Sequence, residues 1–217
     1  MSTSSIFRKV TMALSGLFLV VFLLQHFTIN FSSVFGAKTF NSLSHFMGTN
    51  PLVQFVLQPV LIFGVIYHFV MGFVLELQNR SSRRAKYGNY KGSANASWMS
   101  RNMILSGVVI LSFLGLHFYD FWVPEISYKY IDVLPEDPNR YYEELVHKFH
   151  SPVRVGLYSL SFVFLALHLL HGFNSSFQSL GVNNKYSPAL QKITRTFAVL
   201  IPLGFVFIAL YHHLNAL

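Results

Sequence analysis

Five apolar stretches, each close to the length of a membrane span, constrain the fold of this chain more than any other feature. Crossing the hydrocarbon core takes about 20 mostly apolar residues in a helix. The stretches cover approximately residues 10–31, 52–77, 103–123, 153–173 and 196–214. Pro59 and Pro202 lie within spans, where neighbouring groups can satisfy the freed carbonyls. The sequence therefore predicts an all-α integral membrane bundle of five transmembrane helices, forming a single domain over residues 1–217.

The composition also indicates a lipid environment, because 53% of the residues are hydrophobic and only 11% are charged. Soluble domains carry about 25% charged residues. The absence of cysteine excludes disulfides, iron–sulfur clusters and c-type haem attachment within this chain. Arg8 and Lys9 precede a long apolar run without a small-residue cleavage site, so we expect no cleaved signal peptide. The connection after the third span is expected to hold a short amphipathic helix at Arg140–His150.

The basic residues are distributed unevenly between the two sides of the predicted bundle. Eleven of the 16 Lys and Arg residues fall on the side of the N-terminus, and seven of the eight acidic residues fall on the other side. By the positive-inside rule, the N-terminus is cytoplasmic and the C-terminus outside. Topology alone accounts for these basic loops without nucleic acid as a partner. A docking surface for a cytoplasmic protein is the alternative interpretation.

Five histidines fall inside the predicted spans, where an unpaired imidazole is costly. They are His26, His68, His117, His168 and His171. With a rise of about 1.5 Å per residue, His26 and His117 lie within roughly 10 Å of the outer span ends. His68 and His168 lie roughly 22–24 Å from the outer ends of their spans. The sequence therefore predicts an outer pair and an inner pair of histidines.

Two imidazoles at one depth on different helices suit the axial ligation of a haem iron. The inner candidates share a local pattern, since Gly72 and Gly172 each follow a histidine by four residues and leave room for a macrocycle edge. We predict that His26 and His117 bind an outer haem and that His68 and His168 bind an inner haem. His171 is the alternative to His168.

Other uses of membrane histidines remain open at this point. A single imidazole often forms hydrogen bonds between helices. A proton relay usually includes buried carboxylates, but Glu76 and Asp120 lie at span ends. Two imidazoles per level are too few for a closed zinc site. A transporter or assembly protein is thus a non-redox alternative.

Three segments carry a resemblance to a known family. They are Leu24-Gln25-His26, Phe40-Asn41-Ser42-Leu43-Ser44-His45-Phe46-Met47, and Ile66-Tyr67-His68 with Gly72. They resemble the dihaem cytochrome b subunit of succinate:quinone oxidoreductases, in particular the single-subunit, five-helix anchor of succinate:menaquinone reductases and fumarate reductases. The resemblance covers nearly the whole chain and implies a multi-pass protein of the bacterial cytoplasmic (inner) membrane, in the respiratory chain and tricarboxylic acid cycle.

The resemblance implies specific roles for individual residues. His26 and His117 match the ligands of the distal, outer haem, and His68 and His168 match those of the proximal, inner haem. Trp98 and Arg101 are candidates for contact with a haem propionate, although Trp98 is equally typical of an interfacial anchor. Candidate quinone-site residues are Asn41 and His45, with Glu143 or Glu144 as alternative proton carriers.

The resemblance also implies a flavoprotein and an iron–sulfur subunit on the cytoplasmic side. This chain cannot oxidise succinate alone. Its implied role is to anchor those subunits, conduct electrons between the iron–sulfur subunit and menaquinone through two haem b groups, and contribute the quinone site. The alternative is a different dihaem transmembrane electron carrier.

Overall fold

The structure is a computed structural model that describes residues 4–81, 103–182 and 184–216. These ranges contain helices and connecting turns and no strand. The helices are α1 (Ser5–Phe31, continued by the 3-10 turn Ser32–Phe35), α2 (Ala37–Thr49), α3 (Val53–Ser81), α4 (Met103–Ile131), α5 (Arg140–Phe149), α6 (Pro152–Ser179) and α7 (Ser187–Asn215). In these ranges, α1, α3, α4, α6 and α7 are long and apolar enough to cross a membrane. The predicted five-helix, all-α fold is confirmed.

The five long helices extend beyond the predicted spans, and two of them, α1 and α6, begin at capped ends. Ser4 Oγ accepts a hydrogen bond from the Phe7 amide at 3.2 Å and caps α1. Ser151 Oγ accepts one from the Arg154 amide at 3.4 Å, and Pro152 opens α6. Serine as the cap and proline in the first turn both favour a helix start.

The third predicted span ends at Val123, but α4 continues to Ile131. Its outer part alternates between π-helical segments, Phe118–Trp122 and Ser127–Ile131, and one α-helical turn, Val123–Ile126. Pro124 lies in the first turn of that α-helical segment, where its missing N–H costs little. The change between π- and α-helical geometry allows α4 to continue past Pro124, a residue type that usually ends a helix.

Helix α6 lies at the centre of the bundle and packs against α1, α4 and α7, while α1 also packs against α3. We call the end that carries the N-terminus of α1 the inner end and the opposite end the outer end. In the outer half, Phe149, Tyr158, Phe162 and Phe205 form a buried aromatic core. In the inner half, Leu169 and Phe173 pack around Ala198. These cores hold α6 and α7 together along their length.

Helices α1 and α3 approach closely at Gly64, the buried residue of α3. A Cβ atom at Gly64 would lie 2.7 Å from Cε1 of Phe18. Only glycine therefore allows this contact without a shift of the aromatic ring. The close approach of the two helices also brings residues of α1 against His68.

The outer end is closed by α2 and α5, which we call the outer cap. Asn41 joins the two helices, because its Nδ2 donates to the Asn139 carbonyl and its Oδ1 accepts from the Tyr142 amide, each at 2.7 Å. Helix α5 confirms the predicted amphipathic helix at Arg140–His150, and it buries Leu145 and Phe149. The outer cap covers the outer core, and its helix α2 carries Asn41 and His45.

Candidate functional site

Two pairs of histidine side chains meet inside the bundle, at two different levels. The ring centres of His26 on α1 and His117 on α4 are 5.7 Å apart, with an interplanar angle of 84°. The ring centres of His68 on α3 and His168 on α6 are 6.3 Å apart, with an angle of 68°. The structure thus brings together the histidines that the sequence pairs by depth. Their role as haem ligands stays a prediction.

Each histidine of the inner pair contacts a serine on a neighbouring helix. Nδ1 of His68 lies 3.0 Å from Ser15 Oγ on α1, and Nδ1 of His168 lies 3.1 Å from Ser106 Oγ on α4. Each hydroxyl also donates to the backbone carbonyl three residues earlier, at 2.8 Å. Both inner rings are therefore held at Nδ1, and Nε2 is left as the nitrogen available to a ligand.

The two serine contacts belong to a pattern that α1 and α4 share. Both helices carry Met-x-x-Ser-Gly followed, after nine residues, by histidine: Met12 to His26 and Met103 to His117. The partner helices α3 and α6 carry His-x-x-x-Gly. The sequence analysis did not identify the serines. Their equal spacing of 11 residues from His26 and His117 is the signal that could have found them.

The outer pair is surrounded by aromatic rings instead of hydroxyl groups. Phe22 stacks on His26 with ring centres 5.4 Å apart, and Phe113 stacks on His117 at 5.8 Å. Phe205 lies 5.9 Å from His26. Among the described residues, the buried Nδ1 of His117 has no hydrogen-bond partner. The outer level thus places two imidazoles among aromatic rings.

The glycines of the inner pair face the ends of flexible side chains. A Cβ atom at Gly72 would lie 3.5 Å from the end of Met12, and one at Gly172 would lie 3.9 Å from the end of Met103. Methionine is unbranched and adapts its shape to what it packs against. The surroundings of both inner histidines can therefore adjust to a bulky planar group.

The four histidines fit the axial ligand sets of two haems. An iron between two imidazoles, with metal–nitrogen bonds of about 2 Å, separates the ring centres by roughly 6 Å. The observed separations are 5.7 and 6.3 Å. The aromatic walls of the outer level and the glycines of the inner level suit a flat apolar macrocycle. Within the described ranges, no group of three or more His, Asp or Glu side chains could hold a metal ion.

Three further residues that the sequence analysis names have different outcomes. His171 is half-buried on the helix that carries His168, and the ring facing His68 is that of His168. Trp98 and Arg101, the propionate candidates, lie outside the described residues.

The two quinone candidates border one cavity of about 520 Å³ at the outer cap, together with Lys38, Tyr142 and Glu143. Asn41 is 6% exposed, and both ends of its amide are used in the hydrogen bonds that join α2 to α5. His45 is more accessible, and its Nε2 lies 3.2 Å from Glu136 Oε1. In the described part of the chain, its Nδ1 has no hydrogen-bond partner. The Nδ1 of His45 is therefore a buried nitrogen without a partner in this part of the chain, whereas Asn41 serves the fold.

The structure adds a carboxylate partner that the sequence analysis did not predict. No acid lies between the first two predicted spans, but Glu136 contacts His45 from the connection between α4 and α5. Of the predicted proton carriers, Glu143 borders the cavity and Glu144 pairs with Arg140 at 2.7 Å. Long-range pairing of this kind leaves no periodic signal in the sequence.

A second unpredicted group lies beside the outer pair. Asp120 is 1% exposed and binds Arg154, and Tyr158 donates to Asp120 Oδ2 at 3.0 Å. The Tyr158 ring centre is 6.5 Å from that of His117. This ion pair fixes the outer part of α4 to α6, next to the candidate ligand.

The structure defines an all-helical protein with five helices long and apolar enough to cross a membrane and with two pairs of facing histidines at different levels. The chain is similar to the succinate dehydrogenase cytochrome b558 subunit of Bacillus subtilis (strain 168). The two are 26% identical over 205 residues, which cover 94% of this chain and 90% of the relative. This likeness supports the family that the sequence resembles. No family model matches the chain. No solved structure matches it either.

Proposed function

We propose that this protein is the membrane-anchoring cytochrome b subunit of a succinate dehydrogenase or fumarate reductase complex. Two haem b groups, held by His26 with His117 and by His68 with His168, carry electrons between a cytoplasmic iron–sulfur subunit and menaquinone. The observation that carries this proposal is the meeting of imidazoles from different helices, with ring centres 5.7 and 6.3 Å apart. The likeness to the Bacillus subtilis relative supports the choice of complex.

Iron held by two imidazoles supplies one-electron transfer at each level. The protein's own contribution is to fix the rings and exclude water. Stacking by Phe22 and Phe113 keeps the outer imidazoles in an apolar pocket. On α1, Ser15 at the inner level and His26 at the outer level lie 11 positions apart, which corresponds to a rise of roughly 16 Å. Two sites at that spacing form a short relay across the membrane.

The proposed orientation places the partner subunits at the inner end. Lys9, Lys185, Lys192 and Arg195 are exposed there. Such a basic surface both fixes the topology and attracts an acidic protein surface. A flavoprotein and an iron–sulfur subunit on this side would deliver electrons to the inner level first. Fumarate reduction would reverse the direction.

The haem assignment can be tested by counting haems in purified variants. The wild-type protein is expected to bind two low-spin b haems, and His68→Ala should retain only the outer one. His171→Ala is the matched control, on the inner level of α6, and should retain both. Two haems at full occupancy in His68→Ala would contradict the pairing, and loss of the inner haem in His171→Ala would move the ligand by one helical turn.

Purification from native membranes separates the proposed function from its alternatives. Co-purification with a flavoprotein and an iron–sulfur protein that oxidise succinate supports the anchor role. Two haems without such partners would indicate a different transmembrane electron carrier. A protein without haem absorbance would exclude both and favour a non-redox role.

The same proposal includes a quinone site at the outer-cap cavity, with His45 as the group that exchanges a proton. Its Nε2 faces Glu136, and its Nδ1 is free of protein partners among the described residues. Positioned proton transfer contributes roughly 10²-fold or more to a rate. We expect His45→Ala, in the assembled complex, to slow reduction of a short-chain naphthoquinone by about that factor. Ser42→Ala, in the same cavity, is the control.

The two haem spectra should remain unchanged in His45→Ala, because His45 contacts neither histidine pair. An unchanged quinone rate in that variant would contradict the site. Glu136→Gln distinguishes the two partners, because it keeps the shape of the side chain while removing its charge. The quinone rate should fall in Glu136→Gln as well, because the amide cannot exchange a proton with His45.

A further inference from the structure

We propose that Ser15 and Ser106 are positioning residues for the inner haem. Each accepts a hydrogen bond from Nδ1–H of an inner histidine and thereby keeps Nε2 unprotonated and directed at the iron. This inference rests on the proposed function. It concerns hydroxyl groups on α1 and α4, two helices that carry none of the inner ligands.

The direction of each hydrogen bond follows from counting protons. A serine hydroxyl has a single proton to donate. Ser15 Oγ donates it to the Met12 carbonyl, and Ser106 Oγ donates it to the Met103 carbonyl, both at 2.8 Å. The oxygen can then only accept from the imidazole, so the Nδ1 atoms at 3.0 and 3.1 Å must carry the proton. The tautomer with a free Nε2 lone pair is the one that binds a metal.

The same arrangement occurs twice, on helix pairs that are distant in sequence. Ser15 and Ser106 each precede an outer histidine by 11 residues. Eleven residues make about three full turns, so the serine and the histidine share one helix face. Helices α1 and α4 therefore each provide a ligand at the outer level and a hydroxyl at the inner level. Two independent copies of one contact argue against an accidental serine–histidine pair.

The close approach needed for this contact is built into the chain. Gly16 follows Ser15, and a Cβ atom there would lie 3.2 Å from Cε1 of His68. A side chain at this position would push the imidazole away from the hydroxyl. On α1, Ser15 thus supplies the acceptor and Gly16 the space for the ring, whereas nothing lies within 4 Å of an added Cβ at Gly107 on α4.

The outer histidines lack such serine contacts. Nδ1 of His117 has no partner among the described residues, and the ring nitrogens of His26 lie 3.4 and 3.5 Å from Asn30 Nδ2, an amide nitrogen that can only donate. A hydrogen bond from Nδ1–H makes an imidazole a more basic ligand. A more basic ligand stabilises the oxidised iron. The serines should therefore lower the reduction potential of the inner haem and leave the outer haem unaffected.

The test is a redox titration of both haems in the full complex, combined with electron paramagnetic resonance of the oxidised protein. The variants are Ser15→Ala, Ser106→Ala and the double variant. The inner haem is identified as the one that His68→Ala removes. We expect its potential to rise in each single variant and to rise further in the double variant, with a changed low-spin signal. The outer haem should keep its potential.

Two further variants serve as controls. Ser112→Ala on α4 removes an exposed hydroxyl that, among the described residues, donates to the Val108 carbonyl alone, so both potentials should stay at wild-type values. Ser15→Thr and Ser106→Thr keep a hydroxyl that can make the same bonds in a helix. They should restore the wild-type potential and signal.

Unchanged potentials and signals in the double alanine variant would overturn the inference. Loss of the inner haem in an alanine variant but not in the matching threonine variant would support it, whereas loss in both would overturn it. A wild-type protein without two haems would instead refute the proposed function. The two failures are therefore distinguishable.

Discussion

Arg154 Nε lies 2.9 Å from both carboxylate oxygens of Asp120, a residue that is 1% exposed. The pair joins α4 to α6 three residues beyond His117. Removing one partner of a buried pair leaves an uncompensated charge, which costs more than an exposed pair contributes. The ion pair is therefore a sensitive point of the outer half of the bundle.

We expect Arg154→Ala to destabilise the fold by about 1–3 kcal/mol, because the buried oxygens of Asp120 lose a hydrogen-bond donor. Unfolding in mixed detergent micelles, followed by circular dichroism, measures this change. Arg80→Ala is the control, because Arg80 and Glu76 form an i,i+4 pair on an exposed helix surface. Its cost should stay within about 1 kcal/mol. Equal effects of the two variants would contradict the prediction.

Asn41→Ala should loosen the outer cap at a cost of about 1–3 kcal/mol, because a backbone amide and a carbonyl lose their partner. Hydrogen exchange of the Tyr142 amide is the direct measurement and should become faster. Ser42→Ala is the control, since Ser42 is exposed on the same helix. A slower quinone rate in Asn41→Ala without faster exchange would assign Asn41 a direct role in the quinone site.

Gly64→Ala should separate α1 from α3, because its Cβ would lie 2.7 Å from the Phe18 ring. We expect a destabilisation of about 1–3 kcal/mol, typical of overpacking. At Gly115, nothing lies within 4 Å of an added Cβ. Gly115→Ala should therefore be neutral or stabilising by up to about 1 kcal/mol through helix propensity. Melting of the two variants in detergent compares them, and a neutral Gly64→Ala would refute the close contact.

Tyr141 provides a pH-dependent test of the outer cap. Burial, followed by the charge of Glu125, raises the pKa of its phenol above the ordinary value of 10.0. Its contribution to stability is therefore complete below the unfolded pKa and is lost as the pH rises through the raised folded pKa. Tyr141→Phe should make stability less dependent on pH as the pH rises above about 10. An unchanged pH dependence of unfolding in Tyr141→Phe would contradict the raised pKa.

The sequence predicts the five helices and the levels of the histidines because both depend on distance along one helix. Apolar length identifies each span, and the rise per residue gives the depth of His26, His68, His117 and His168. These quantities need no knowledge of how helices are rotated against one another. For the same reason, the depth argument pairs the histidines that the structure brings together.

The missed features depend on rotation and on contacts between distant segments. A serine in a membrane helix usually bonds its own backbone, so Ser15 and Ser106 look ordinary until packing places an imidazole beside each. Asp120 and Arg154 lie near the ends of two different spans, and Glu136 contacts His45 from a different connection. The continuation of α4 past Pro124 depends on a change of helix type that hydropathy does not encode.

The pairing of α1 with α4 and of α3 with α6 also sets an order of events during synthesis. His117 follows His26 by 91 residues, and His168 follows His68 by 100 residues. A nascent chain with two inserted spans, α1 and α3, would therefore hold two solitary imidazoles. Insertion of α4 would complete the outer pair, and insertion of α6 would complete the inner pair. If the pairs bind haem as proposed, the outer site would be complete first.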